Sequence, residues 1–381
     1  MKKISYLFPN FFFIGAQRAA AASIRLLVER GYDVNVLVVD SRGSMREELP
    51  VGITVIEFKN STLFSKIPLL RIFSWPFELH RILSIEKPTV LISICPQTNF
   101  TLVLFRIIFG NNPIFIAEEH QHLSNAILND PKDFKFLWKY LYYFSLNNYW
   151  RLDLIRCVSK ASALDFIQNW KVPAELICTI YPAFDFDRIR LRSKGFLKVE
   201  KVPVICSVGR LTSQKDFSLL IQSFSHVIKF LPAKLVIAGT GPEEENLNRL
   251  INHLNLNDHV KLLGFVDYAE SVISSSDLFV LTSIWEGFPA TLVEAMVLGT
   301  PVVSVNCESG PSELIENGVN GFLVNTRDPT LIGRALLHAL MNPELLALIS
   351  KSAKVSVEKY SLESTVSELE DALNILQSRR N

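Results

Sequence analysis

The stretch Leu278-Phe-Val-Leu-Thr-Ser-Ile-Trp-Glu-Gly-Phe-Pro-Ala-Thr-Leu-Val-Glu294 runs from a short apolar strand, Leu278–Thr282, through a loop into a helix. Pro289 is a natural first-turn residue for that helix, because its missing N–H is one that the first turn leaves unpaired anyway. A helix start presents unpaired backbone N–H groups and the positive end of a dipole, which together form an anion site. The amides near Ala290 and Thr291 are therefore placed to hold a diphosphate, with Glu286 in the loop before them and Glu294 about one turn inside the helix. Carboxylates so placed accept hydrogen bonds from hydroxyls on either side of such a group. Two acids near a helix start also serve the dipole alone, and in isolation the pair reads that way more readily.

The same strand–loop–helix alternation extends through the whole chain, as expected of α/β architecture with parallel sheets. In the first half the pattern predicts strands at Ile4–Phe8, Val34–Val39, Thr54–Phe58, Val90–Ile94, Ile114–Glu118, Leu154–Val158 and Leu176–Ile180. Ala16–Arg30, closed by Gly31, reads as an amphipathic helix between the first two. A second series follows at Val204–Val208, Leu235–Ala238, Val260–Leu263, Leu278–Thr282, Pro301–Val305 and Gly321–Val324. The charged residues 186–203, with Gly195 and Pro203 and no clean period, read as a linker. Ser361–Leu376 reads as a capped helix whose Leu362, Val366, Leu369, Leu373 and Leu376 recur at helical spacing. The expected division is 1–185, a linker at 186–203, 204–360, and a terminal helix at 361–381 that packs back on the first domain. Two such domains predict a cleft, with ligands at the carboxyl ends of strands.

The chain has 381 residues, 49% apolar and 20% charged, enough for two cores and unlike a disordered chain. A formal net charge of +1 argues against a general nucleic-acid binder. Residues 1–190 hold 22 Lys+Arg against 17 Asp+Glu (+5), and the remainder 17 against 21 (−4), which sum to that +1. The five cysteines are scattered and show no CxxC or Cys/His cluster, so neither a disulfide framework nor a zinc site is expected. A reducing cytoplasm suits them. Lys2, Lys3 and the apolar residues after them imitate a signal peptide, but Pro9, Asn10, Gln17 and Arg18 interrupt the run. No stretch of about 18 apolar residues predicts a membrane-spanning helix.

The strand-end loops supply the company that changes the reading of Glu286 and Glu294. Gly209-Arg-Leu-Thr-Ser-Gln-Lys215 follows the strand Val204–Val208 and places Arg210 and Lys215 where a second βα loop opens. Two cations there neutralise a diphosphate leaving group without a metal; lone basic loop residues are otherwise ordinary solvated surface. Gly239-Thr-Gly-Pro-Glu-Glu244 follows Leu235–Ala238, a weak signal alone because Gly-Pro also begins helices.

Together these pieces resemble the retaining glycosyltransferases of family 4, the group 1 glycosyltransferases, with specific motifs over residues 200–330. The family's E-x7-E stands as Glu286 and Glu294 around Gly287, Phe288 and Pro289; its GRL…QKG loop is Gly209 to Lys215, with Asp216 where Gly is usual. Ala238 to Glu243 resembles its AGxGPE segment, Leu263 to Val266 its xxGFV element, and Ala295–Val303 and Gly310–Ile315 its closing strands. The resemblance implies the GT-B fold, two Rossmann-like parallel-sheet domains facing across a cleft, and a hexosyltransferase-type enzyme that needs neither cofactor nor metal. It implies catalytic roles for Glu286, Arg210, Lys215 and His120. Arg210 and Lys215 would hold the donor phosphates, Glu294 the ribose, and Glu286 the transferred sugar. Donor contacts are further implied for Gly15, Gly239, Phe265, Gly287, Phe288, Pro289, Ala290 and Thr291.

The amino-terminal half departs further. The family's GGAER loop is Ile14-Gly-Ala-Gln-Arg18, with Ile14 for its first glycine and Gln17 for its acid. Glu118-Glu-His-Gln-His122 ends a predicted strand, and the histidine expected to contact donor sugar falls on His120 rather than His122; a strand-end histidine is otherwise a plain polar loop residue. The usual NP.D segment reads Tyr181-Pro-Ala-Phe-Asp185.

Leu63–Leu83 and Phe134–Trp150 interleave aromatics with cations: Phe64, Lys66, Arg71, Phe73, Trp75, Phe77 and Arg81 in one, Lys135, Trp138, Lys139, Tyr142, Tyr143 and Trp150 in the other. Such helices lie in membrane interfaces or are core helices with snorkelling cations. The expectation is a cytoplasmic enzyme, peripheral on the inner face of the membrane, moving sugar from a UDP-linked donor to a glycan or lipid-linked hydroxyl. Surface polysaccharide synthesis, capsule or lipopolysaccharide, is the expected setting, with no nucleic-acid partner. The alternatives are a GT-B epimerase or phosphorylase, and a non-catalytic sugar-nucleotide-binding subunit. A nicotinamide dehydrogenase is disfavoured because no GxGxxG follows the first strand.

Overall fold

A computed structural model describes residues 3–12, 15–59, 71–110, 112–129, 136–194 and 202–380, without the side chains of 128–129 and 136–139. The chain forms two compact units, Met1–Phe184 with Tyr360–Asn381, and Asp185–Lys359.

The first unit carries β1 (Lys3–Phe8), α1 (Gly15–Glu29), β2 (Asp33–Val38), β3 (Thr54–Glu57), α2 (Trp75–Glu86) and β4 (Val90–Ser93). It continues through α3 (Pro96–Phe109), β5 (Ile114–Glu119), α4 (Leu123–Asn129), α5 (Phe136–Asn147), β6 (Leu154–Cys157), α6 (Lys160–Gln168) and β7 (Ile177–Thr179). Its sheet has the order β3-β2-β1-β4-β5-β6-β7 and every pair is parallel. Parallel strands are covered on both faces, which explains their nearly unbroken apolar runs: Ile4, Tyr6 and Phe8 of β1 enter one core cluster, and Leu7 enters another.

The second unit carries α7 (Phe186–Arg192), β8 (Val204–Val208), α8 (Phe217–Val227), β9 (Lys234–Ala238), α9 (Glu244–His253), β10 (Val260–Gly264) and α10 (Ala269–Ser274). Then come β11 (Leu278–Leu281), α11 (Ala290–Leu298), β12 (Val302–Val305), α12 (Pro311–Leu314), β13 (Phe322–Val324), α13 (Pro329–Leu340) and α14 (Pro343–Ser356). Its parallel sheet has the order β10-β9-β8-β11-β12-β13. The order reverses between β8 and β11, so the loops leaving these two strands diverge at a topological switch point. Every strand lies within one residue of its expected bounds.

The last helix, α15 (Leu362–Ser378), belongs to the first unit. Ser361 caps it by accepting from the Ser364 N–H, and Val366, Leu369, Leu373 and Leu376 are buried in the same core as β1, β2 and α1. Arg30 of α1 pairs with Glu370 on its flank. At about 1.5–3 kcal/mol per buried aliphatic side chain, these four residues make α15 part of that core.

The stretch expected to be a linker is partly helical. Asp185 caps α7 by accepting from the Arg188 N–H, Ile189 is buried, and Arg192 approaches Glu270 of α10 at 3.8 Å. The seven-residue helix buries one narrow stripe among charges, too short a pattern to show a period. Pro289 stands just before α11 as its cap residue rather than in its first turn.

Candidate functional site

Two loops at the switch point build the site in the second unit. After β8, Gly209 leads into Arg210, and the chain turns through Ser213–Lys215 to Asp216. After β11, residues 282–289 lead to α11, whose cap residue, Pro289, offers no side-chain hydrogen bond. Hydrogen bonds stitch the loops together: Ile284 N–H donates to the Gln214 carbonyl at 2.8 Å, and Gln214 Nε2 to the Trp285 carbonyl at 2.9 Å. Thr282 Oγ1 donates to the carbonyls of Lys215 (3.1 Å) and Asp216 (3.0 Å).

This stitching brings Lys215 and Glu286 together. Lys215 Nζ lies 2.5 Å from Glu286 Oε1, which also accepts from Ser283 Oγ at 2.6 Å. Ser309 Oγ donates to the Glu286 backbone carbonyl. Glu286 is 5% exposed and Glu294 4% exposed. A buried carboxylate needs such partners. Arg210 is exposed and makes no ion pair among the described residues. One cation thus sits in a buried pair while the other stands at the surface of the same loop.

Glycines permit the close approach of neighbouring loops. Gly239 has φ +145°, and a Cβ there would lie 1.9 Å from the Gly209 carbonyl oxygen; only glycine fits where two backbones meet so closely. Gly310, at φ +93°, likewise leaves room for the Pro289 ring, whose Cδ would be 2.3 Å from a Cβ. Phe265, just after β10, is 69% exposed. Gly287 and Pro289 are buried; Phe288, Ala290 and Thr291 are half-buried around the α11 start.

In the first unit, β5 ends at Glu119 and His120 follows. Glu118 faces Arg156 across the β5–β6 register, and Arg156 Nη1 donates to its Oε1 at 2.5 Å. His120 Nε2 lies 3.1 Å from the other Glu118 oxygen. Arg156 also donates to the carbonyls of Ile180 (3.1 Å) and Tyr181 (2.7 Å). Burial alone would raise the Glu118 pKa, but Arg156 and the His120 contact outweigh it and bring the carboxyl down to about 2. Burial raises that of Glu119 despite hydrogen bonds from Tyr149, Asn99 and Tyr142. His122 is buried 3.7 Å from Asp165, away from this network. Gly15 opens α1, where the buried Gln17 donates to Asn10 Oδ1 at 3.1 Å. Ile14 lies outside the described residues.

Sequence reasoning missed the contact between Lys215 and Glu286 and the partners supplied by Glu118, Arg156, Ser283 and Ser309. Two consecutive acids ending an otherwise apolar strand were the signal for Glu118.

With this geometry in view, the matches to known proteins fall on the same segments. The sequence model described as glycosyl transferases group 1 matches residues 189–356, and that of glycosyltransferase family 4 matches residues 14–188. The chain belongs to the group 1 glycosyltransferases, family 4. This glycosyltransferase is 27% identical over 360 residues, 91% of its length and 92% of the relative's, to a Campylobacter jejuni enzyme. That enzyme is the N-acetylgalactosamine-N,N'-diacetylbacillosaminyl-diphospho-undecaprenol 4-alpha-N-acetylgalactosaminyltransferase. The present chain is 30% identical over 280 residues, 66% of its length and 64% of the relative's, to an uncharacterized glycosyltransferase of Methanocaldococcus jannaschii. In structure it is similar to Anabaena HepE crystallised with UDP-glucose, with a TM-score of 0.77, 21% identity and coverage of 98% and 100% of the two chains. These likenesses accord with the two parallel sheets of a GT-B fold.

Exposed large apolar side chains, most of them aromatic, gather on the first unit. Phe73, Phe77, Ile107, Ile108, Tyr143, Phe144 and Trp150 are all exposed, and ring contacts link Phe73 to Phe100, Phe100 to Phe144, and Phe77 to Phe109. Tyr142, expected on the membrane face, is instead buried with its hydroxyl on Glu119. Phe64, Lys66 and Lys135, and the side chains of Trp138 and Lys139, lie outside the described residues. Among the described residues no single helix is long and apolar enough to cross a membrane; the bent pair Pro329–Leu340 and Pro343–Tyr360 meets the measure only jointly, and Ile332, Leu336 and Leu346 of that pair lie in the second unit's core.

Proposed function

We propose that this glycosyltransferase moves a sugar from a UDP-linked donor to a hydroxyl of a lipid-linked or surface glycan, with retention of anomeric configuration. The observation that carries the reading is the joining of Lys215 and Glu286 beside the start of α11, where Pro289 is the cap residue, with exposed Arg210 on the same loop. Departure of a nucleoside diphosphate develops negative charge, and preorganised cations and amides stabilise that charge in the transition state. Lys215, Arg210 and the first amides of α11 supply this stabilisation without a metal in the proposed reaction. Glu286, held by Lys215 and Ser283, orients the transferred sugar, and Glu294 the ribose. Phe265 lies beside the base, and Gly239 keeps the intervening loop close. His120, beside Glu118, is assigned to the sugar and the backbone at Gly15 to the donor.

The UDP assignment is supported by the fold shared with a UDP-glucose complex, and the lipid-linked acceptor by the name of the Campylobacter jejuni relative. The exposed apolar side chains of α2, α3 and α5, aromatic on α2 and α5, in the half with the basic excess, suit a peripheral contact with an anionic membrane. The test is a thermal-shift screen of nucleotide sugars followed by transfer assays on a lipid diphosphate acceptor, with and without a chelator. Stabilisation by one nucleotide family and chelator-resistant transfer are expected. Absence of stabilisation by any nucleotide sugar would contradict the donor assignment.

A further inference from the structure

Arg327 is absent from the site motifs, yet it ties both donor-site loops together. It sits between β13 and α13, and its Nη2 reaches Asp216 Oδ2 at 2.6 Å and the Thr282 carbonyl at 3.0 Å. Its Nη1 reaches the Ser283 carbonyl at 3.1 Å. Thr282 and Ser283 are the two residues that follow β11, and Ser283 Oγ donates to Glu286. Asp216 directly follows Lys215. One guanidinium therefore holds the residue beside Lys215 and the two residues from which the Glu286 loop departs.

Asp216 is shaped for this. It stands where glycine is usual, in a left-handed conformation with φ 43°, which Asp tolerates better than most residues. Its two oxygens serve different partners: Oδ1 accepts the Leu219 N–H at 3.1 Å and caps α8, while Oδ2 meets Arg327. A glycine there would ease the backbone but provide neither contact. The planar fork of arginine spans a carboxylate and two carbonyls, which a lysine ammonium does not reproduce.

We infer that Arg327, through Asp216 and the carbonyls of Thr282 and Ser283, is a positioning residue that sets the spacing of Lys215 and Glu286 and thereby governs donor affinity. The inference rests on the reading of Lys215 and Glu286 as donor-binding residues. Without the clamp the two loops keep their other hydrogen bonds, so the fold persists while the site loosens.

The experiment is calorimetric titration of UDP into wild type, R327M, R327K, D216N, D216N/R327M and K215A, with a thermal melt of each. Loss of preorganisation is expected to weaken UDP about tenfold in R327M and about threefold in D216N, with R327K between wild type and R327M. The double variant should match R327M within about twofold, because both changes break one connection. Melting temperatures should stay within a few degrees of wild type. D216N keeps the α8 cap and a residue tolerant of positive φ, so it carries the test if R327M does not fold. UDP affinity in R327M and D216N within twofold of wild type, with K215A weakened, overturns the clamp alone. K215A binding UDP as wild type does overturns the donor reading and the clamp together.

Discussion

Replacing Lys215 with alanine separates chemistry from structure. The side chain is 16% exposed and its partner Glu286 7%, at an N–O distance of 2.5 Å. Removing one partner of a buried pair costs about 3–5 kcal/mol, because the other charge stays behind unpaired. Here Ser283 still donates to Glu286 and Lys215 retains some solvent contact. Discounting for both gives a stability loss of about 1–3 kcal/mol. Against an ordinary domain stability of about 5–15 kcal/mol, that loss leaves well over nine tenths of the molecules folded at 20 °C. Unfolding therefore accounts for almost none of any large fall in turnover. Loss of one preorganised charge at the leaving group costs about 10²–10³ in kcat, roughly 2.7–4 kcal/mol. The assay is steady-state sugar transfer at 20 °C beside a thermal melt. A hundredfold fall in kcat with a melting shift of a few degrees is expected. A fall of less than tenfold, or one that tracks the folded fraction as temperature is varied, would refute the assignment of Lys215 to the leaving group.

Other expectations follow from the first unit. The Glu118 carboxyl is held down at about 2, so its stabilisation is fully present above the ordinary value near 4.5 and is lost as pH falls through about 2. Glu118→Gln should cost about 3 kcal/mol at neutral pH, by leaving Arg156 buried without its charge partner, and should flatten acid unfolding between pH 5 and 2. An unchanged acid profile by near-ultraviolet circular dichroism would count against the Glu118–Arg156 account. Leu369→Ala opens a cavity where α15 meets β1 and α1, and should cost about 2–5 kcal/mol; chemical denaturation with a first-unit probe should register it, and a loss below 1 kcal/mol would place α15 outside that core. Phe77→Asp with Ile108→Asp should reduce flotation of the protein with vesicles of phosphatidylglycerol and phosphatidylethanolamine by about tenfold, since buried apolar area drives interfacial binding. Equal flotation of variant and wild type would assign the aromatic face to another role.

The fold was legible because parallel strands covered on both faces leave apolar runs such as Val204–Val208, each bounded by glycine or polar residues and followed by a helical period. The α7 helix was not, since a two-turn helix with one buried residue, Ile189, leaves no period among its arginines and aspartates. Glu286, Lys215 and Arg210 stood out as strand-end residues, but strand order decides which loops become neighbours. Only the adjacency of β8 and β11 joins Lys215 to Glu286, across residues far apart in sequence. Arg327 was hidden for the same reason: nothing in Asn325-Thr-Arg-Asp328 indicates that its loop reaches back to Asp216. Tyr142 illustrates the converse, an aromatic in a basic stretch that serves a buried carboxylate.

The central claim, that the loops after β8 and β11 bind a nucleoside diphosphate sugar through Lys215, Arg210 and the α11 start, is tested most directly by titrating nucleotide sugars into wild type and Arg210→Ala. Saturable binding of one nucleotide sugar per chain, weakened about tenfold or more by removal of the exposed cation, is the expected result. Failure of every nucleotide sugar to bind wild type, or equal affinity for both proteins, would contradict it.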